Sequence, residues 1–266
     1  MAPRRRLDQL LVERGLFDSR ERARRAVMAN WVKVDGRPID KPGHPVKVDA
    51  AIELAERPRF VGRGGLKLER ALDAFDLDVQ GAVCADIGAS TGGFTDCLLQ
   101  RGAAKVYAVD VGYGQLDWSL RNDARVVVLE RTNARHLSAR EIPEPLDVIV
   151  MDVSFISISK ITGALTPLLA PTGRLVALIK PQFEAGPARV GKGGIVRAAA
   201  VHEAVLAEVI GALDGEGWRV RALTHSPVAG ADGNREFLGL FDRAAAPGAP
   251  LDIAAVVGRA HEEVSG

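Results

Sequence analysis

The chain has 266 residues, of which 47% are hydrophobic and 26% charged, with a formal net charge of +1 and two cysteines. That length allows one large or two unequal domains with a sizeable core; two cysteines exclude a disulfide framework, and no run approaches the roughly eighteen apolar residues of a membrane span. The start, M-A-P-R-R-R-L-D, has no apolar segment behind its charges, so no secretory signal is expected and a reducing, cytoplasmic setting is. The near-neutral balance hides an asymmetry: residues 1–64 hold 15 Lys/Arg against 9 Asp/Glu, and the remainder 20 against 25. A basic front on a mildly acidic body suits a front that meets a polyanion, although solvated surface charge gives the same count.

In chain order, residues 6–15 place Leu7, Leu10 and Leu11 at helical spacing and close on Gly15 as a C-cap. Ser19 reads as an N-cap for a second helix that turns Ala23, Ala26 and Val27 inward and Arg20, Arg24 and Arg25 outward. Short strand-like pieces follow, W-V-K-V-D-G-R-P-I and H-P-V-K-V-D-A-A-I-E-L, joined by Asp35-Gly36 and Pro42-Gly43 turns. Two helices and a small sheet with guanidinium groups along one helix suit an RNA backbone. Over residues 7–54 this resembles an S4 domain, with R-L-D-Q-L-L-V-E-R-G, S-R-E-R-A-R-R, V-K-V-D-G and K-P-G in the expected order. The resemblance implies that Arg6, Arg20, Arg24, Arg25 and Lys33 face RNA.

Pro58 and the glycines of residues 56–65 break periodicity and mark a connector between a domain at 1–55 and one at 66–243; its Arg57, Arg59 and Arg63 would extend the RNA surface or simply keep an exposed connector soluble. A helix beginning G-L-K-L-E-R leads into the stretch A-V-C-A-D-I-G-A-S-T-G-G-F (82–94), which reads as a buried strand, a Gly-rich turn and a helix from Thr95. Its glycines lack the G-x-G-x-x-G spacing that admits a pyrophosphate, yet a second strand ends in Asp110, where an acid takes ribose hydroxyls. A cofactor with ribose but no phosphate fits both facts, and S-adenosylmethionine (SAM) is the candidate. Further strands are expected at 125–130, 146–153 and 173–179, then a helix at 198–213 and strands at 218–228 and 235–242. The turn between the last two is too short for a crossover helix, so the final strand runs antiparallel. The fold class expected is α/β, a Rossmann-like, mostly parallel seven-stranded sheet with an antiparallel last strand, preceded by a small α+β domain. Residues 244–266 read as a tail with at most a short polar helix.

Ligands of parallel sheets bind beyond the carboxyl ends of the strands. Asp152 and Lys180 end two strands at that edge, Glu236 begins the antiparallel strand there, and Lys67 lies in the first turn of the helix before the first strand. Four scattered charged residues therefore converge on one edge by topology. This arrangement resembles the K-D-K-E tetrad of FtsJ-like ribose 2′-O-methyltransferases, and with the S4 domain it resembles the TlyA-type family, whose members carry hemolysin names and look like ribosomal RNA 2′-O-methyltransferases. R-G-G-L-K-L, D-I-G-A-S-T-G-G-F-T-D, V-D-V-G-Y-G-Q-L, D-V-S-F-I-S, I-K-P-Q-F-E, G-K-G-G-I-V-R and N-R-E-F-L carry the likeness over nearly the whole chain. The departure is Phe94, where the wider group often has Trp.

The resemblance implies SAM-dependent methylation of a ribose 2′-hydroxyl, expected on a cytidine of ribosomal RNA or ribosomal subunits. The catalytic set is Lys67, Asp152, Lys180 and Glu236, with Lys180 contacting the attacking oxygen. The cofactor is expected to lie across Asp86, Gly88, Ala89, Ser90, Thr91, Gly92, Gly93 and Phe94, with Asp110 on the ribose, Asp152 near the sulfonium and Asn133 toward the adenine. No metal and no membrane partner is expected, and the oligomeric state is not legible. The long Gly-rich loop at 183–197, with Arg189, Lys192 and Arg197, reads as a lid closing over RNA or as an ordinary surface loop. Base methylation is the nearest rival, disfavoured because Asp152-Val153-Ser154-Phe155 lacks prolines and neither Cys84 nor Cys97 is placed as a nucleophile. A membrane-lytic protein and a non-catalytic RNA-binding assembly factor are the readings from other classes.

Overall fold

The chain divides into two units, Met1–Arg59 and Phe60–Gly266, and the computed structural model describes residues 3–28, 31–54, 59–230, 233–246, 248 and 250–264. The first unit contains β1 (Arg4–Arg6), α1 (Leu7–Glu13), α2 (Arg20–Met28), β2 (Val32–Val34), β3 (Arg37–Pro38), β4 (Pro45–Lys47) and β5 (Ile52–Leu54). Leu7, Leu10 and Leu11 meet Ala23, Ala26 and Val27 across the two helices, over Val32, Val34 and Val46 of the strands. α1 stops where Gly15 takes φ +70 and its amide donates to the Val12 carbonyl. Ser19 Oγ accepts from the Arg22 amide at 3.3 Å, capping α2. Asp35 and Gly36, both at positive φ, turn β2 antiparallel onto β3. One difference from expectation is β1, which pairs antiparallel with β4 just where a helix was expected to begin.

The second unit contains α3 (Gly64–Ala74), β6 (Val83–Ile87), α4 (Gly93–Gln100), β7 (Lys105–Val109), α5 (Trp118–Arg121), β8 (Val126–Leu129), β9 (Leu146–Met151), α6 (Ser159–Leu165), β10 (Leu169–Ile179), α7 (Pro181–Glu184), α8 (Ala199–Gly215), β11 (Arg219–His225), β12 (Phe237–Asp242) and α9 (Ile253–Glu263). Its seven strands run in the order β11-β12-β10-β9-β6-β7-β8, and β12 is antiparallel to both neighbours. Along β10, Leu175, Ala177 and Ile179 belong to one core cluster and Val176 and Leu178 to the other, so the strand is buried on both faces. Chain order reverses between β6 and β9, which opens the crevice where ligands of such sheets bind.

Two expectations about the edges of this unit need correction. Of the connector at 56–65, residues 56–58 lie outside the described residues, and Phe60 onward is packed: Phe60 is buried on the α3 side of the core, and its ring fills the space over Gly65, where a Cβ would come within 2.2 Å. The tail is not a loose polar end. Asp252 caps α9 by accepting from the Ala255 amide at 2.9 Å, and Val256, Val257 and Ala260 are buried in the main core. His261 Nε2 stands 3.0 Å from His202 Nδ1 on α8, while His202 Nε2 stands 3.1 Å from the Val196 carbonyl. A carbonyl only accepts, so His202 carries its proton on Nε2 and its Nδ1 accepts a hydrogen bond from His261 Nε2–H. Burial pushes His202 down to about 4, which keeps this chain neutral.

Candidate active site

β6 delivers the chain to a turn that only glycine can make in two places. Gly88 takes φ +87, and a Cβ there would lie 2.2 Å from the Asp152 carbonyl oxygen, so the ends of β6 and β9 touch backbone to backbone. Gly93 opens α4, and a Cβ on it would meet the Gly65 amide of α3 at 2.9 Å. The close approach leaves a cavity of about 220 Å³ lined by Arg63, Gly64, Lys67, Asp86, Gly88, Ala89, Ser90, Thr91, Gly93, Phe94, Asp152 and Gly230. Asp86 is fully buried at its floor: one carboxylate oxygen accepts from the Thr95 amide at 2.9 Å and hydroxyl at 2.7 Å, and Oδ1 has no protein partner. Burial pushes Asp86 up to about 7, with help from the charges of Asp152 and Asp110 and against the Thr95 hydrogen bonds.

The four tetrad residues come together as two ion pairs. Lys67 Nζ lies 2.5 Å from Glu236 Oε2, both nearly buried, and Lys180 Nζ lies 2.6 Å from Asp152 Oδ1. Lys67 and Asp152 face the cavity; Glu236 and Lys180 hold them from outside its wall. Lys180 also donates to Ser154 Oγ at 2.9 Å, a partner the sequence reading missed. Gly230 was missed as well. A Cβ there would sit 2.1 Å from Glu236 Oε1, which the chain avoids by using glycine. Removing one member of a buried pair strands a charge and costs about 3–5 kcal/mol, so each lysine depends on its carboxylate.

Other expected site residues are placed differently. Gly92 (φ +97) is turned away, and its hydrogen faces Leu120 and Leu116. Asp110 does not line the cavity: Oδ2 accepts from the Ser90 amide at 2.7 Å and Oδ1 from the Gly112 amide at 2.6 Å, so this carboxylate shapes the glycine-rich turn. Asn133 caps a 3₁₀ turn by accepting from the Arg135 amide at 3.1 Å and likewise lies off the cavity wall. Arg63, expected on an RNA surface, is part of that wall. The loop at 183–197 is no free lid. Arg189 makes a two-pronged pair with Glu208 of α8 at 2.7 and 2.6 Å, and Asn234 accepts from the Val196 amide and donates to the Gly194 carbonyl at 3.0 Å each. Lys192, Arg197 and Arg59 are exposed.

In the first unit Lys33 is exposed, and Arg20, Glu21, Arg24 and Met28 line a surface hollow. Arg6 and Arg20 are not simply solvated: they converge on Asp8, a fully buried carboxylate that accepts from Arg6 Nε at 3.1 Å and Nη2 at 3.0 Å and from Arg20 Nε at 2.9 Å. Burial alone would raise Asp8, but the two guanidiniums outweigh it and hold it below the usual carboxylate value. The side chain of Arg25 lies outside the described residues.

A doubly wound sheet with a crevice where its chain order reverses, a buried acid at the crevice floor and a Lys/Asp/Lys/Glu edge defines a Rossmann-like methyltransferase. Residues 60–243 match the FtsJ-like methyltransferase model and residues 5–52 match the S4 domain. The chain therefore belongs to the FtsJ-like methyltransferase family and carries an N-terminal S4 domain. It is 46% identical over 240 residues to the 16S/23S rRNA (cytidine-2′-O)-methyltransferase TlyA of Mycobacterium tuberculosis, covering 89% of each chain. It is 44% identical over 240 residues to Hemolysin A of Brachyspira hyodysenteriae, covering 89% of this chain and 99% of that one. A solved structure from Streptococcus thermophilus, of a protein carrying a hemolysin name, superposes with a TM-score of 0.77 at 44% identity, over 99% of this chain and 98% of the other.

Proposed function

We propose that this chain transfers a methyl group from SAM to the 2′-hydroxyl of a cytidine in ribosomal RNA, in the cytoplasm, with Lys67, Asp152, Lys180 and Glu236 as the working residues. The observation that carries the reading is the meeting of four charged residues, distant in sequence, as two ion pairs beside a glycine-cradled cavity. The cavity chemistry fits the methionine end of the cofactor. Asp86 offers a buried carboxylate oxygen without a protein partner, suited to an ammonium. The turn's Gly88, Ala89, Ser90 and Gly92 amides are spent on Val109, Asp110 and Ala89, which leaves those of Thr91 and Gly93 to meet a carboxylate. At about 220 Å³ the cavity is below the ~300–1,000 Å³ usual for small-molecule sites, so the nucleoside half extends over the open rim toward Asp110 and Asn133. Bound SAM supplies an electrophilic methyl on a sulfonium.

The chain's own task is to bring a weakly nucleophilic hydroxyl into line with that methyl and ease the loss of its proton. Lys180 is the group set against that oxygen, either taking its proton as a neutral amine or stabilising the growing negative charge as an ammonium. Asp152 pairs with Lys180, and the Lys67–Glu236 pair meets the same cavity through Lys67. The names of the M. tuberculosis relative and of the Campylobacter jejuni 23S rRNA (cytidine-2′-O)-methyltransferase, 33% identical over 200 residues, support the choice of acceptor. Lys180→Ala is expected to lower methyl transfer at least ~100-fold while SAM affinity by calorimetry stays within about twofold, about 0.4 kcal/mol. Unchanged turnover would remove Lys180 from the mechanism. Cytosine C5 chemistry is disfavoured further by the cysteines: both are buried, and burial pushes Cys84 up to about 12. The hemolysin names raise lysis as a second activity, for which SAM-independent leakage of liposomes is the test; among the described residues no helix is long and apolar enough to cross a membrane.

A further inference from the structure

We propose that Ser154 is a positioning residue for Lys180, an inference that rests on the methyl-transfer reading above. A tetrahedral nitrogen has four directions. The side chain takes one and Ser154 Oγ, accepting at 2.9 Å, a second, while Asp152 Oδ1 draws the amine by charge at 2.6 Å without completing a hydrogen bond. No further oxygen acceptor for Lys180 is present among the described residues. With one N–H committed to Ser154, fewer orientations of the amine remain for the attacking oxygen to meet. The charge of Asp152 alone leaves rotation of the amine free; the directional bond to Ser154 restricts it.

The backbone that carries Ser154 is held in an unusual state. Phe155, the next residue, takes φ +65, a left-handed conformation that costs a bulky side chain of order 1–3 kcal/mol and persists only where the surroundings enforce it. Two contacts link this segment to α7, the helix that directly follows Lys180. The Phe155 ring packs 4.9 Å from the Phe183 ring, and Glu184 accepts from the Ile158 amide at 3.0 Å. The Phe183 ring centroid is itself 5.8 Å from Lys180 Nζ. Hydroxyl, amine and both contacts thus form one local frame, in which Ser154 is exposed and buries no apolar surface of its own. Its sequence signal was slight: a serine two residues past a strand-ending acid.

The test compares Ser154→Ala and Ser154→Thr with the wild type and with Lys180→Ala. Ser154→Ala is expected to lower kcat tenfold or more, with SAM affinity and thermal unfolding unchanged, and Ser154→Thr, which keeps the hydroxyl, to recover most of the rate. A second readout needs no activity. In a side-chain ¹H–¹⁵N spectrum, the Lys180 amine signal, assigned by its loss in Lys180→Ala, is expected to shift or broaden in Ser154→Ala and to return in Ser154→Thr. A kcat within twofold of wild type in Ser154→Ala, a threonine variant as slow as the alanine one, or an unmoved lysine signal would overturn the proposal. An inactive wild type would instead refute the methyl-transfer reading, and the spectrum alone would then decide whether Ser154 holds the lysine.

Discussion

At the scale of single residues, the site is built from charges that the fold would not tolerate singly. Lys67 and Glu236 are nearly buried because each answers the other, and Asp86 is buried because Thr95 satisfies one of its oxygens. Asp86 has a measurable consequence. Its folded-state value near 7 lies above its ordinary 3.8, so its contribution to stability is fully present below about pH 3.8 and is lost as pH rises through about 7. The stability difference between wild type and Asp86→Asn, followed by thermal unfolding from pH 5 to 8, should therefore shift against the wild type as pH rises. A difference constant with pH would contradict the assignment. The sequence placed Asp86 among the residues expected along the cofactor; that its second oxygen lies unpartnered beside the cavity came from the structure.

At the scale of elements, the strands and their edge residues were legible because strand direction follows from loop length. A short turn forces the last strand antiparallel, and an antiparallel strand must begin where parallel ones end, which places Glu236 beside Lys180 and Asp152. α9 was illegible for the opposite reason. Its buried positions are Val256, Val257 and Ala260, small residues in a short Ala/Val run behind a Pro/Gly-rich stretch, and their partners, such as Val205 and Leu206 on α8, lie far back in the chain. Val257→Asp should destabilise the second unit by about 3 kcal/mol or more by burying an unpaired charge, whereas Arg259→Gln on the exposed side should stay within ~0.5 kcal/mol; urea unfolding of both checks it. Arg189 illustrates the same limit, since its reach to Glu208 depends on how the loop folds back on α8.

At the scale of the whole molecule, the division of charge noted in the sequence matches a division of labour between an S4 domain and a methyltransferase body. Asp8 shows how the front is organised: one buried carboxylate gathers Arg6 and Arg20, leaving exposed Arg24 beside them. Arg24→Ala should weaken RNA binding and reduce the slope of log affinity against log salt by about 0.7–0.9, the share of one phosphate contact, with SAM affinity unchanged. An unaltered slope would place the RNA elsewhere. The central claim is the site of the methyl group. Unmodified ribosomal subunits incubated with the protein and methyl-labelled SAM, then digested to nucleosides, should yield the label as 2′-O-methylcytidine in the wild type and none with Lys180→Ala. Label on a base, or no label from the wild type, would contradict the account.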